Sequence, residues 1–318
     1  MDRTSAVATL RRAVAAAGAR IGAESWCVAL SGGPDSLALT AAAAAERPTT
    51  ALIVDHGLQA GSADIAAAAG ECAIALGCVA AQVLTVEVGN GGGPEAAARR
   101  ARYAALESAR DGAPVLLGHT LDDQAETVLL GLGRGSGPRS IAGMRADDPP
   151  WHRPLLGTRR VLTRAACEEL GLAPWQDPHN VDRRFTRTRL RHEVLPLLEE
   201  VLGGGVAEAL ARTAIALRED TDALDALAVE ALDAVRIGDG LGVDSLGTLS
   251  DALRRRVIRG WLLAGGAQDL ADVQIRGVDR LVTHWRGQGG VAVPSALQRQ
   301  RLIAARRDGV LVLLRRPV

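Results

Sequence analysis

The sequence predicts an α/β fold, a parallel sheet covered by helices, followed by a helical linker and a smaller α/β or α+β C-terminal domain. Three observations carry this. Short β-type runs alternate with long alanine-rich helical stretches through the first half. Turns rich in glycine and histidine stand directly behind three of those runs. The 318 residues exceed the usual length of one domain. Such alternation implies helices on both faces of the sheet and ligands at the carboxyl ends of its strands.

Val28 to Leu30 is the first strand, and Ser31-Gly32-Gly33-Pro34-Asp35-Ser36 hands it to a helix over 36–45. Ala51 to Val54 is the second strand, ending in Asp55-His56-Gly57 before a helix over 62–76. Val83 to Val88 precedes a helix over 94–110. Val115 to Leu117 runs into Gly118-His119 and a helix over 122–133. Beyond residue 135 the pattern changes. Between Arg134 and Arg191 twelve arginines face six acids; from Glu219 to Asp251 nine acids face Arg236 alone, with helical apolar spacing. From Ala252 onward thirteen arginines face four acids, over a helical stretch at 271–286 and strand-like Leu302 to Ala304 and Val310 to Leu314. Gly203-Gly204-Gly205 is the expected hinge between a catalytic domain, 1–203, and a linker with a small domain, 204–318.

The formal net charge is zero, which excludes a uniformly basic nucleic-acid binder and leaves RNA contact to local arginine clusters. Cys27, Cys72, Cys78 and Cys167 form no C-x-x-C pair, so buried thiols in a reducing cytoplasm are expected, without metal or iron–sulfur ligation. No run approaches the roughly 18 apolar residues of a membrane span, and no export signal is expected. A homodimer is allowed but not required.

The loop from Ser31 to Ser36 carries the chemistry. A glycine turn between strand and helix N-terminus lets unpaired backbone N–H groups point at an anion with no Cβ in the way. All 37 basic side chains are arginine, so the lysine of a Walker-type phosphate loop is missing and that class is excluded. A second constellation runs from Gly118 to Thr127. Asp122, Glu126 and Leu129 share one helix face, and Asp123 and Glu126 another. Helix N-capping would explain Asp122 alone equally well. It does not explain a preceding histidine, three acids in five residues and the Arg134-Gly135-Ser136-Gly137 loop that follows.

The S-G-G-x-D-S loop resembles that of the PP-loop ATP pyrophosphatases, which cleave ATP between the α and β phosphates. Together with H-x-x-D-D-Q-A-E-T from His119 and the R-G-S-G loop, the chain resembles the tRNA(Ile)-lysidine synthetases within that superfamily, over roughly residues 24–200. Val54-Asp55-His56-Gly57-Leu58, Glu95 to Arg102-Tyr103, Arg153-Pro154-Leu155-Leu156, Asp177-Pro178-His179-Asn180, Arg187-Thr188-Arg189-Leu190-Arg191 and Val194-Leu195-Pro196 agree with it. Two departures stand out: Gly118 where the family often has a second histidine, and Thr188 where asparagine is common.

The resemblance implies ligation of free L-lysine to C2 of the wobble cytidine of tRNA(Ile) with a CAU anticodon. The reaction passes through an adenylated cytidine, releases AMP and pyrophosphate, and changes codon reading from AUG to AUA. Ser31, Gly32, Gly33, Pro34, Asp35, Ser36, Asp55, His119 and Arg134 are the expected ATP contacts, with Asp35 the nearest carboxylate for Mg²⁺. For His119, a structural role at the strand end stays open. Asp35, Asp123, Glu126 and Arg191 are the expected catalytic residues. Asp123 and Glu126 would hold lysine rather than act as bases, because deprotonating an amine of pKa about 10.4 near pH 7 costs roughly 4–5 kcal/mol and a carboxylate is a poor acceptor. Arg191 would counter the lysine carboxylate or the adenylate phosphate. The arginines of 139–191 would contact RNA or form a solvated face, Trp151, Trp175 and Phe185 among them would be core side chains or stacking platforms for a loop base, and Arg254-Arg255-Arg256 with Arg259 would serve either as a solvated face or as a second RNA contact. A tRNA thiolase, an amide-forming synthetase for NAD or GMP and a non-catalytic nucleotide-binding subunit are the alternatives; tRNA-dependent ATP–pyrophosphate exchange separates them.

Overall fold

The computed structural model describes residues 5–57, 61–89, 93–135, 137–177, 182–296 and 300–317. Leu58, Ser136 and Pro178-His179-Asn180, together with the Glu95 side chain, lie outside the described residues. Two compact units emerge, one up to Leu130 and from Gly143 to Arg212, the other Gly131–Ala142 with Thr213–Val318.

In the first unit the chain runs α1 (Ala6–Ile21), β1 (Trp26–Ala29), α2 (Pro34–Ala44), β2 (Thr49–Asp55), α3 (Ser62–Ala75), β3 (Ala80–Thr85), α4 (Pro94–Ala109), β4 (Val115–Leu117) and α5 (Leu121–Arg134). The end of α5 and α6 (Pro138–Ile141) belong to the second unit, and the first resumes with β5 (Asp147–Asp148), β6 (Trp151–His152), α7 (Arg160–Glu169), α8 (Thr186–Arg189), a π-helical turn over Leu190–Val194 and α9 (Leu195–Val201). The strand order is β3-β2-β1-β4-β6-β5, and every pair is parallel except β5–β6. The expected parallel sheet is therefore present, with one antiparallel edge. The third strand begins three residues earlier than its apolar run suggested, because Ala80 and Ala81 pair with Thr50 and Ala51.

Alternate residues of each strand feed two cores, as a pleated sheet requires. Val28, Ala51, Ile53 and Leu116 pack with Leu10, Val14, Leu37, Leu39 and Ala73 of the helices on one face. Cys27, Leu52, Val115 and Leu117 pack with Leu106 of α4 on the other. Burying a side chain such as Leu106 contributes about 1.5–3 kcal/mol. The chain steps outward from β1 to β3, then crosses on α4 to β4 on the opposite side of β1. This makes the carboxyl ends of β1 and β4 a topological switch point.

The glycine run at 203–205 lies within the first unit, as a corner between α9 and α10 (Val206–Val235). Glu199 closes that corner by accepting hydrogen bonds from the Val206 and Ala207 amides at 3.0 and 3.1 Å. The second unit adds β7 (Arg236–Ile237), β8 (Gly240–Gly242), α11 (Val243–Gly247), α12 (Asp251–Ala264), α13 (Asp272–Thr283), β9 (Val291–Val293), β10 (Gln300–Arg307) and β11 (Val310–Pro317). Its antiparallel sheet, ordered β7-β8-β11-β10-β9, buries Leu241, Leu302, Ala304 and Leu311 against Ile258, Trp261, Leu262 and Leu281. That segregation of sheet and helices is the α+β alternative.

Candidate active site

A cavity of about 380 Å³ opens at the carboxyl ends of β1 and β4. Its floor is aliphatic, with Ala29, Leu30, Leu52, Val54, Leu106 and Leu117, and suits a flat apolar ring. Its rim is polar, and Ser31, Gly33, His56, Arg102 and Trp175 are shared with a second cavity of about 400 Å³ that reaches Asp55 and Ser62.

The phosphate loop forms one wall. Gly32 sits at φ +77°, where a side chain would be strained, and its carbonyl accepts from the Trp175 amide at 3.0 Å. Pro34 begins α2 at a position that needs no N–H. The Ser36 hydroxyl accepts from the Ser31 amide at 3.2 Å and donates to the Gly33 carbonyl at 3.0 Å, so it holds the shape of the loop. Asp35 lines the cavity and accepts from Thr163 Oγ1 and, at 3.3 Å, from Arg160 Nε. Burial raises its pKa, against the opposing pull of Arg160 and Thr163.

Asp55 ends β2 and accepts from the Gly57 amide at 3.0 Å; that bond and one from Ser62 hold its pKa low. His119 lines the cavity with a buried Nδ1 that has no partner among the described residues. Burial, reinforced by Arg153, Arg102 and Arg99 against the pull of Asp123, brings its pKa down to about 3, so it is neutral at pH 7. Gly118 is explained by contact: a Cβ there would stand 3.1 Å from the backbone of Ser36, so β4 and α2 approach too closely for a second histidine.

At the start of α5, Asp123 Oδ2 accepts from the Thr120 amide at 2.8 Å and from its hydroxyl at 2.7 Å, a capping arrangement. Its other oxygen accepts from Arg160 at 2.6 Å and Arg191 at 3.3 Å. Asp122 instead caps α7, accepting from the Arg160 amide at 2.7 Å, and pairs with Arg159 at 3.3 Å. Glu126 is fully buried. Arg160 and Arg191 bond its Oε1 at 3.2 and 2.8 Å, and Arg191 and Arg187 reach its Oε2 at 3.1 and 3.3 Å. Three arginines ring this carboxylate in the interior, and Glu126 does not line the cavity. The expectation that it grips lysine thus meets an interior ion-pair hub. Arg191 lies in the π-helical turn, which forms where Pro196 has no N–H to offer the carbonyl of residue 192. Thr188, in place of asparagine, is buried beside it and leaves the Arg191 bonds in place.

Arg134 is not brought to the cavity. It stands exposed at the far end of α5, about 16 Å along the helix from Asp123. Of the aromatics, Trp175 lines both cavities, Trp151 packs edge-on against Tyr103 at 4.8 Å, and Phe185 is half-buried.

Sequence reasoning missed α7. Arg160, Thr163 and Arg164 fall at i, i+3 and i+4, the one available signal, and α7 turns this face to the cavity and to Asp35. Four arginines (159, 160, 187, 191) balance four acids (35, 122, 123, 126). Arg102 and Arg164 also line the cavity but form no ion pair among the described residues. They are the cations left for an anionic ligand. No cysteine lines either cavity, and burial raises the pKa of all four thiols.

The sequence model of the PP-loop domain matches residues 6–198, and that of the TilS substrate binding domain matches residues 241–311. A tRNA(Ile)-lysidine synthase of Mycolicibacterium paratuberculosis (strain ATCC BAA-968 / K-10) is 72% identical over 320 residues, with 100% of both chains covered. Its counterpart in Mycobacterium tuberculosis (strain ATCC 25618 / H37Rv) is 70% identical over 325 residues, again with 100% of both chains covered. Among solved structures, the U34-tRNA thiolase NcsA of Methanococcus maripaludis, with its [4Fe-4S] cluster, superposes with a TM-score of 0.54 at 18% identity. The match covers 67% of this chain and 80% of that one. At that identity the likeness concerns the fold alone.

Proposed function

The chain belongs to the tRNA(Ile)-lysidine synthase family, and from that premise we propose that it ligates free L-lysine to C2 of the wobble cytidine of tRNA(Ile) with a CAU anticodon, consuming ATP. The observation that carries the reading is the cavity itself: an aliphatic floor, a glycine phosphate loop, two arginines without ion pairs among the described residues, and Asp123 with Arg191 on the facing wall.

In this reading the adenine lies on the floor between Leu52 and Leu117, and the phosphates meet the loop amides together with Arg102 and Arg164. Ser36 keeps the loop in shape. Asp35 stands on the cavity wall beside the phosphate loop, and a Mg²⁺ carried mainly by phosphate oxygens would take it as its carboxylate. When bound, that ion would neutralise charge developing on the phosphates. His119, neutral and with a free ring nitrogen, hydrogen-bonds an anionic oxygen without titrating near pH 7.

AMP transfer turns the C2 oxygen of cytosine into a leaving group; the side-chain amine of lysine then displaces AMP. Of the two acids first expected to hold lysine, Asp123 is the one on the cavity wall, and we assign the ammonium to it and the lysine carboxylate to Arg191. Glu126 acts at one remove, fixing Arg160, Arg187 and Arg191. The substrates of such a reaction are cytoplasmic, and among the described residues no helix is long and apolar enough to cross a membrane.

The test is incubation with ATP, lysine and an unmodified CAU-anticodon tRNA(Ile) transcript, followed by mass spectrometry of the nucleosides. The expected product is a cytidine heavier by one lysine less one water. Pyrophosphate release that ignores tRNA would favour an amide-forming synthetase instead.

A further inference from the structure

Within the second unit, three guanidinium groups gather around one carboxylate. Asp225 of α10 is paired through the same oxygen with Arg139 of α6 and, at 3.0 Å, with Arg256 of α12. Arg259, one turn further along α12, is half-buried, lies within the electrostatic reach of Asp225 and Arg139, and donates no side-chain hydrogen bond among the described residues. Two cations pair with this acid and a third lies within its field. The cluster is built rather than incidental: Arg218 of α10 donates to the Ala142 carbonyl and ties down the end of the segment that carries Arg139. Arg256 is anchored a second time, to the Ala252 carbonyl at 3.2 Å. Its side chain is 17% exposed against 40% for Arg139, so the group has a fixed inner cation and an open outer one.

A single shared carboxylate contrasts with the remainder of α12, where cations are matched. Arg254 and Arg255 both bond Asp279 and Asp251, two arginines against two acids. These two, expected either as a solvated face or as an RNA contact, are internal pairs. Around Asp225 the like charges of an exposed Arg139 and a half-buried Arg259 act on each other, and burial with the field of Arg139 lowers the pKa of Arg259. A half-buried guanidinium beside an open one, without an equal number of acids paired to them among the described residues, favours an anion, and guanidinium matches phosphate oxygens in geometry as well as charge.

We propose that Arg139 and Arg259, held over Asp225 and Arg256, form a docking site for the sugar-phosphate backbone of the RNA substrate, taking two phosphodiester groups. The inference rests on the tRNA-modifying function proposed above. It requires no base contact, so the site contributes affinity and register rather than sequence choice.

The experiment measures binding of the CAU-anticodon tRNA(Ile) transcript across a series of KCl concentrations, for the full-length parent, R139A/R259A and D225N. Each phosphate contact contributes roughly 0.7 to 0.9 to the slope of log affinity against log salt, so the double variant should lose about 1.4 to 1.8 units of slope. That corresponds to roughly 25- to 60-fold weaker binding at 0.1 M salt. D225N removes the one counter-acid while keeping an acceptor, and should steepen the slope and tighten binding. A double variant with the parent's slope, or a D225N protein that binds more weakly without a steeper slope, overturns the docking site. A thermal melt of each variant identifies a folding defect, and in that event R139K/R259K, which keeps the charges, should retain the parent's slope. Failure of the parent to bind this tRNA or form lysidine would sink the proposed function instead, so the two readings fail separately.

Discussion

Replacing Glu126 with glutamine removes one negative charge from the interior and almost no volume. Glu126 is fully buried, accepts from Arg160 and Arg191 and is ion-paired with Arg187, all at 2.8 to 3.3 Å. Breaking a buried ion pair costs about 3–5 kcal/mol, and because the glutamine oxygen keeps two of the four acceptor positions, the lower end, about 3 kcal/mol, applies. For a unit of about 200 residues, where 1 kcal/mol moves the melting temperature by about 2–4 °C, the expected fall is roughly 6–12 °C. The kinetic consequence follows from which partners are released. Arg160 also holds Asp35 and Asp123, and Arg191 also holds Asp123, so both the phosphate side and the lysine side of the cavity loosen together. Glu126→Gln should therefore reduce tRNA-dependent pyrophosphate release and lysine transfer by similar factors. Pyrophosphate release followed by a coupled assay, with lysine incorporation measured on the same samples at saturating and limiting lysine, makes the comparison. A strong rise in KM for lysine with pyrophosphate release intact would refute the argument, because it would mean that lysine itself reaches Glu126.

Asp35→Ala should abolish tRNA adenylation with little change in far-ultraviolet circular dichroism, since its side chain faces the cavity; near-normal AMP transfer would remove it from the site. His119 has a folded pKa of about 3 against 6.5 when exposed, so its contribution to stability is complete above pH 6.5 and is lost as the pH falls towards 3. In urea titrations from pH 7 to 4, His119→Gln should reduce the loss of stability by up to about 1.4 kcal/mol per pH unit, and an unchanged slope would contradict a buried neutral imidazole. Arg183 and Arg184 have side-chain exposures of 80% and 84%; Arg184 is forked onto Asp182, whereas Arg183 meets Glu193 only at 3.5 Å, so Arg183 is the less tightly held and the better placed to reach RNA. The Arg183→Ala/Arg184→Ala double variant should accordingly lose about one unit of salt slope in tRNA binding, and a loss of none would mark a solvated surface.

What the sequence determined by itself was local. A glycine loop after a strand, acids in a first helical turn and alternating apolar runs act over a few residues, and the backbone geometry they require follows from sterics alone; the phosphate loop, the sheet and the neighbourhood of α5 were legible for that reason. Pairing of charges is not local. Arg160 meets Asp35 across 125 positions of sequence, and Arg191 meets Glu126 across 65. Twelve arginines against six acids in that stretch state how many cations exist but not which of them lose their charge to a neighbour. Only the tertiary structure decided that Glu126 is an interior hub, that Asp122 caps another helix, that Arg134 stands away from the cavity and that Arg102 and Arg164 line it outside any ion pair among the described residues. The physical reason is that Coulomb energy depends on distance and on water exclusion, and both are set by which helix packs beside which strand.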